Sequence, residues 1–333
     1  MKNKFEIPQN SKVHRSYIID KIIGEGGMGT VFLVHSKKTS DINKYALKYR
    51  KVDDNDTNKK RFWNEINLLQ KIKHKNIPKI YDYEYNDTEQ YYVMEYMEGE
   101  TLAKLLKDSH VFVIKRANNY MKQLAETIEE LHAHNIIHRD IKPENIIISS
   151  SHHLKILDFG ISVTNETQNL TKAHSLICSP YYAAPELSNG SKNITPAVDI
   201  YALGVLYFQM LTGQLPFRGE NAVNTIMMHQ KDAFPDIRRF KHDVPNSIVN
   251  IITKSTAKDP KGRYKTMNEF KKAIIKSTRN ENKIEQLISP KTMKPRKTVA
   301  EVVRSPLFLG TSILFLIVVL VIFAVVFKVN NFI

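Results

Sequence analysis

His138-Arg139-Asp140-Ile141-Lys142-Pro143-Glu144-Asn145 is the stretch on which the reading of this chain turns. It follows a segment of helical period, YMKQLAETIEELHAHN (120–135), and precedes a short pair of strands. Asp158-Phe159-Gly160 comes next, then Ala184-Pro185-Glu186, then DIYALG from Asp199 to Gly204. Any one of these strings is ordinary. The signal lies in all of them arriving in this order and at these distances.

Working outward toward the N-terminus, DINKYALKYRKV (41–52) and YIIDKIIGEGGMGTVFLVH (17–35) alternate as strands, and RFWNEINLLQKIKH (61–74) reads as an amphipathic helix. The turn between the first strands is Gly24-Glu25-Gly26-Gly27-Met28-Gly29, followed by Thr30 and Val31. Glycines so spaced let a backbone come close to a phosphate chain and offer it N–H groups, although alone they also describe a flexible turn. A strand, TVFLV, follows the glycines where a dinucleotide-binding unit would have a helix. Lys48 on the next strand and Glu65 on the helix would each be read singly as a solvated charge. From about residue 99 onward the helical period dominates, so a β-rich small half precedes an α-rich large half. There are no internal repeats.

Taken together, residues 17–275 resemble the eukaryotic-type (Hanks-type) protein kinases, and every signature stands in its place. The resemblance implies an α+β, bilobal fold, with a kinase domain at 17–276, a small lobe at about 17–97 and a large lobe at about 98–276. It implies ATP as co-substrate with Mg2+, or Mn2+, as the metal. Phosphoryl transfer needs positioning and charge stabilisation rather than covalent chemistry. By the resemblance, Asp140 accepts the proton of the substrate hydroxyl and Lys142 steadies charge on the moving phosphoryl group. Asn145 and Asp158 match the metal ligands, as hard oxygen donors. Gly24, Gly26 and Gly29, with Glu25, Gly27 and Met28 between them, cover the phosphates, and Lys48 oriented by Glu65 holds them. Val31, Ala46 and Ile147 match residues that sandwich adenine, with Met94 behind it; Glu95 to Met97 supply the backbone edge. Leu69, Ile80, His138 and Phe159 match an apolar stack joining the lobes. Glu186 with Arg263 matches a bracing ion pair, and Asp199 an anchor for the catalytic loop.

The Lys two residues after Asp140 resembles Ser/Thr rather than Tyr kinases. The 29 residues from Asp158 to Glu186 correspond to an activation segment holding Thr164, Thr167, Thr171, Ser175 and Ser179. Arg139, directly before the catalytic Asp, implies a partner in a phosphorylated residue of that segment. Thr171 and Ser175 are the candidates, while Ser179 is expected first as substrate-pocket structure and second as a phosphosite. The Cys178-Ser179 and Ala183-Ala184 pairs depart from the Gly-Thr and Leu-Ser of the bacterial branch. Neither change removes a catalytic group.

The one abrupt change in composition is LFLGTSILFLIVVLVIFAVVF (307–327), uncharged throughout. At 1.5 Å per residue it reaches about 31 Å, the thickness of a bilayer's hydrocarbon core. A buried soluble helix of that length would keep a polar stripe. The preceding linker, 277–306, carries Lys291, Lys294, Arg296, Lys297 and Arg304 against Lys328 beyond the span. That bias puts residues 1–306 in the cytoplasm and the 328–333 tail outside, in the cell membrane. The linker's cations either touch anionic lipid or are merely solvated. A kinase followed by one span resembles the bacterial transmembrane kinases, here expected to lack their extracellular sensor repeats.

The N-terminal extension, 1–16, has no apolar run, so no signal peptide is expected. One cysteine excludes an intrachain disulfide and a Cys-ligated zinc. The net charge of +15 has no nucleic-acid motif beside it, and no nucleic-acid partner is expected. Protein Ser/Thr are the expected substrates, with homodimerisation through the kinase domain or the span left open. The alternatives are a nucleotide-binding scaffold without transfer and a small-molecule kinase. A scaffold would usually lack Lys48, Asp140 or Asp158, and a small-molecule kinase would lack the Ala-Pro-Glu segment.

Overall fold

The computed structural model describes residues 7–26, 29–50, 56–159, 179–188, 194–278, 285–296 and 299–330, in two units, 1–285 and 286–333. In the first unit β1 (Tyr17–Gly26), β2 (Gly29–Ser36), β3 (Lys44–Arg50), β4 (Ile80–Tyr85) and β5 (Gln90–Glu95) form one antiparallel sheet in the order β1-β2-β3-β5-β4. Alternation sends alternate side chains to opposite faces. Lys48 and Tyr92, paired in register, share the face that takes α2 (Asp56–Lys71), whose Phe62 and Ile66 are fully buried. Phe62 lies 5.3 Å from the Tyr92 ring.

The other face presents Phe32, Val34, Leu47, Tyr49, Tyr91 and Val93, and is covered by Ile7 and Val13. Residues 7–16, expected from sequence as an extension outside the kinase domain, therefore complete its core. A four-residue helix, α1 (Val13–Ser16), leads into β1. Ser11 Oγ donates to Glu89 Oε1, the Lys12 N–H donates to Glu89 Oε2 (3.2 Å), and Lys12 Nζ reaches Glu84 (2.7 Å). From the sheet side, Lys37 Nζ donates to the His14 carbonyl (2.6 Å).

The large lobe is helical, with a small sheet of β6 (Glu100–Thr101), β7 (Ile146–Ile148) and β8 (Leu154–Ile156) in that order. α3 (Leu102–Ser109) is capped by Thr101, whose Oγ1 accepts the Lys104 N–H (3.2 Å). α4 (Ile114–Ala133) buries Ala117, Tyr120, Met121, Leu124, Ile128 and Leu131, the stripe its three- and four-residue spacing predicts. After the short α5 (Pro185–Ser188), α6 (Ala197–Thr212) runs through the core and is buried on nearly every side. Gly204 lets α6 approach α8 (Asn246–Ser255): a Cβ there would collide with Ser255 Oγ. α6 ends at Gly213, whose φ of 72° is the left-handed cap favouring glycine. α7 (Ala222–Lys231) and α9 (Met267–Ser277) complete the lobe, α9 lying along α4. The unit continues to Glu285, whose carbonyl accepts from Asn246 Nδ2 (2.5 Å), past the expected boundary at 276.

In the second unit the basic linker closes on itself. The Met293 N–H donates to the Ser289 carbonyl (2.8 Å), Ser289 N–H to Lys294 (2.8 Å) and Arg296 N–H to Leu287 (2.6 Å). α10 (Val299–Val303) follows, then α11 (Pro306–Asn330). Pro306–Ala324 of α11 has mean hydropathy 3.0 and is long and apolar enough to cross a membrane.

Because Val13 is fully buried against the sheet, Val13→Ala should cost about 1–3 kcal/mol of stability, read from denaturant unfolding. An unchanged midpoint would mean that residues 7–16 are not part of the folded core.

Candidate active site

Two clusters form the site. The first begins on β3. Lys48, 7% exposed, holds its ammonium 2.7 Å from Glu65 Oε2 on α2 and 3.7 Å from Asp158 Oδ1. The second Glu65 oxygen, Oε1, accepts the Phe159 N–H (3.2 Å), and the Lys48 ammonium lies 5.9 Å from the centre of the buried Tyr92 ring. Burial disfavours the Lys48 charge, but the carboxylates of Glu65 and Asp158 outweigh it and hold its pKa above the ordinary value. Lys48 is thus a cation at any physiological pH, in a setting that costs much unless it is paired. The cluster joins β3, α2 and the Asp158 loop through one charge.

The second cluster gathers around Asp140, which is 7% exposed. Lys142 Nζ donates to Asp140 Oδ2 (2.6 Å), Asn145 Nδ2 donates to the same oxygen (3.1 Å) and to the Asp140 carbonyl (3.0 Å). Asn145 spends its amide N–H groups on Asp140, which leaves its Oδ1 to serve a cation. The Ser179 N–H points at Asp140 Oδ1 (3.4 Å). Asn145 is linked to the Asp158 loop by its own carbonyl, which accepts the Leu157 N–H (2.7 Å).

The loop under Asp140 is fixed by a buried carboxylate. Asp199, fully buried on α6, accepts the His138 N–H (3.0 Å) and Arg139 N–H (2.9 Å) and bonds His132 Nε2 (2.8 Å). Burial alone would raise the Asp199 pKa; the His132 bond and charge and the Arg139 N–H outweigh it and hold it below its ordinary value. Burial keeps His138 neutral, with its pKa below the usual range, against the Phe159 ring at 5.2 Å. Two non-glycine residues here have left-handed backbones, Arg139 (φ 67°) and Asp158 (φ 62°). Such conformations persist where the surroundings over-determine them.

Of the glycines, Gly29 has φ 132°, and a Cβ there would collide with the Tyr49 carbonyl, so close backbone approach demands it. Gly26 faces open space, room for a ligand, while Gly24 has only ordinary contacts. Gly27 and Met28 lie outside the described residues, as do Gly160, Thr171, Ser175 and Cys178. Glu25 is exposed on β1. Val31 and the buried Ala46 stand on β2 and β3, and Ala46 pairs with Met94. Ile147 stands on β7 of the large lobe, Glu95 ends β5, and Met97 follows it on the crossing to the large lobe. Leu69 and Phe159 are buried. Arg263 grips Glu186 through both nitrogens (2.6 and 2.8 Å) and donates to the Ala197 carbonyl (2.8 Å). Among the described residues no group of three or more His, Cys, Asp or Glu could hold a metal ion. The oxygens of Asn145 and Asp158 fit instead a hard divalent cation that takes its remaining ligands from phosphate and water.

Sequence reasoning missed Tyr92, His132 and Asn76. Asn76 donates to Thr127 Oγ1 (2.9 Å) and the Gln123 carbonyl (3.2 Å) on α4, and its carbonyl accepts the Ile156 N–H (2.9 Å). No spacing rule points to any of the three, since each acts across two or more elements.

The family model described as "Protein kinase domain" matches residues 17–305. The chain is 37% identical over 265 residues to the serine/threonine-protein kinase PrkC of Bacillus subtilis, covering 79% of this chain and 40% of PrkC. It is 34% identical over 264 residues to the probable serine/threonine-protein kinase PknB of Lactococcus lactis, covering 79% and 42%. A third relative, the serine/threonine-protein kinase drp72 of Corynebacterium efficiens, is 31% identical over 263 residues, 78% of this chain and 50% of that one. The chain belongs to the protein kinase family, and within it to the Hanks-type Ser/Thr kinases of bacteria. It spans about two fifths of the length of PrkC and PknB. Membership implies use of ATP with a divalent metal.

Asp199→Ala would strand two buried N–H groups and should destabilise the domain by about 2–4 kcal/mol. With its folded pKa depressed, the Asp199 carboxylate adds stability above its ordinary value of 3.8 and loses it as pH falls through the lower folded value. Asp199→Asn should therefore flatten the acid limb of a stability–pH curve below about pH 4. An acid limb that survives in Asp199→Asn would contradict this role.

Proposed function

We propose that the chain is a working Ser/Thr protein kinase that moves the γ-phosphoryl group of ATP to protein hydroxyls, with Mg2+ or Mn2+ as the metal. The observation that carries this is the joint geometry of Lys48, Glu65 and Asp158 beside Asp140, Lys142 and Asn145. A scaffold has no use for an aspartate held by a lysine and an asparagine at the catalytic position.

In this reading Asp140 orients the incoming hydroxyl. It takes that proton as the substrate oxygen bonds to the γ-phosphorus and the bond to the bridging oxygen breaks, the electron pair leaving with ADP. Lys142 offsets charge on the phosphoryl group in flight. Lys48, kept in place by Glu65, holds the non-transferred phosphates, and the glycines of β1 and β2 cover them. Val31, Ala46 and Ile147 bracket the adenine, and the backbone from Glu95 to Met97 bonds its edge. Asn145 and Asp158 hold the metal, which when bound neutralises developing phosphate charge. Ser179 shapes the substrate pocket through its N–H to Asp140. Phosphate on Thr171 or Ser175, drawn to Arg139, raises activity.

The kinase domain faces the cytoplasm, anchored by α11, with the C-terminal residues outside. The apolar run at 306–324 and the cations of the linker support that orientation. The loop at 287–296 brings Lys291, Lys294 and Arg296 to anionic headgroups, and self-association through the kinase domain or α11 belongs to the same reading.

The test uses the full chain in lipid nanodiscs with ATP and Mg2+, a general protein substrate and phosphosite mass spectrometry. Asp140→Asn should lower phosphate incorporation by about 10²–10⁴-fold, leaving Ser/Thr phosphate as the product of the unmodified chain only. Incorporation that does not depend on Asp140 would refute transfer by this site. Thr171→Ala/Ser175→Ala should retain the basal rate but lose the rise that follows preincubation with ATP.

A further inference from the structure

The last two turns of α6 hold together one end of the large lobe. The Met210 carbonyl accepts the Phe112 N–H (2.8 Å), and a Cβ on Gly213 would collide with the His110 carbonyl. The Tyr207 hydroxyl donates to Asn118 Oδ1, and Asn118 Nδ2 reaches Ser277 Oγ at the end of α9 (3.4 Å). The Phe208 ring meets the Phe240 ring edge-on at 5.4 Å. Arg238 fixes the loop that carries Phe240, its guanidinium donating to the Val244 carbonyl (3.2 and 2.9 Å) and to Asn246 Oδ1. Glu285, the last residue of this unit, is bound at the same end. Its carbonyl accepts from Asn246 Nδ2 (2.5 Å), and its carboxylate lies 3.3 Å from Asn250 Nδ2 and 3.6 Å from Lys276 Nζ.

This end presents an unusual surface. Val111, Val113 (66% exposed), Phe240 (43% exposed) and Ile275 stand out in solvent. Lys115, Arg116 and Arg239 are exposed among them, the Arg116 guanidinium lying 5.9 Å from the centre of the Phe112 ring. Among the described acids of these segments, Glu285 is engaged by Asn250 and Lys276, and Asp243 lies 3.6 Å from Lys241. Asp236 accepts the Arg238 N–H (3.0 Å). Apolar tips within a cationic rim suit the boundary between anionic headgroups and acyl chains. The course of the chain names the same occupant. Only residues 286–305 separate Glu285 from the apolar helix that starts at Pro306, and within them Arg296 N–H closes back on the Leu287 carbonyl. A membrane anchor therefore draws this end of the lobe toward the bilayer. The catalytic loop is remote from it: Asp199 and Thr212 stand at opposite ends of α6, about 20 Å apart at 1.5 Å per residue.

We propose that this end of the large lobe is a membrane-docking surface. Val111, Val113 and Phe240 enter the headgroup region of an anionic bilayer, and Lys115, Arg116 and Arg239 hold them there. The proposal rests on the reading of α11 as a span. Docking fixes the height of the cleft above the bilayer and leaves the cleft itself clear of lipid.

The experiment measures amide hydrogen exchange of the full chain in two kinds of nanodisc. One is phosphatidylcholine alone, and the other contains about one third phosphatidylserine, which supplies the anionic surface. In the anionic discs, exchange at 111–116 and 239–242 should slow about three- to ten-fold, and about 0.5 M salt should abolish the difference by screening. Lys115→Gln/Arg116→Gln/Arg239→Gln should lose the slowing while phosphorylating a soluble peptide at the unmodified rate. If that variant fails to fold, the salt series on the unmodified chain decides alone. Equal exchange in both discs, slowing that survives the triple substitution or high salt, or slowing confined to the linker at 287–296 would each overturn the docking surface. A chain recovered apart from the discs would overturn the reading of α11 as a span, and the docking surface with it.

Discussion

A single buried ammonium organises the catalytic half of this molecule. Lys48 lies in a place where a lone charge would cost several kcal/mol, so its pairing with Glu65 and the nearby Asp158 is a condition of the fold. To meet it, β3 must be in register with β5, α2 must lie across that face with Glu65 inward, and the Asp158 loop must turn through a left-handed residue. The Glu65 carboxylate then has an oxygen left over for the Phe159 N–H. Small lobe, helix and Asp158 loop are thereby committed to one another.

The large lobe repeats the device with the sign reversed. Asp199 is a buried anion whose partners are the backbone N–H groups of His138 and Arg139 and one histidine side chain, His132. Here the charge fixes a backbone rather than a side chain. That suits a loop whose Arg139 sits in the left-handed region and whose Asp140, under the proposed function, has to be aimed at a substrate hydroxyl. Between the two anchors, Asn145 and Leu157 link the Asp140 loop to the Asp158 loop, and the ring contact of His138 with Phe159 seals the junction.

Much of this was legible in the sequence because the chemistry lies in short linear motifs. Asp140, Lys142 and Asn145 fall within six residues of one motif, and the resemblance of that motif to the kinases assigned them to one site. Lys48 and Glu65, each a solvated charge when read singly, were paired by the resemblance to the kinases, and the structure holds them 2.7 Å apart. What stayed hidden acts across long separations or without periodicity. Residues 7–16 give no strand or helix pattern, yet Val13 is as buried as any core residue, because the sheet's outer face had to be covered by something. Tyr92, His132 and Asn76 look like ordinary strand, helix or surface residues until tertiary packing supplies their partners. Nor does a sequence reveal that Arg139 and Asp158 adopt conformations usually left to glycine.

The central claim is that this cleft is built to hold a metal with a nucleotide and to use both. The most direct measurement is calorimetric titration of ATP into the full chain in nanodiscs, with and without Mg2+, for the unmodified chain and for Asp158→Asn. The account predicts that Mg2+ tightens ATP binding to the unmodified chain and that this gain largely disappears in Asp158→Asn, while metal-free binding is kept. Equal gains from Mg2+ in both proteins would contradict the assignment of Asp158, and with it the case for phosphoryl transfer at this site.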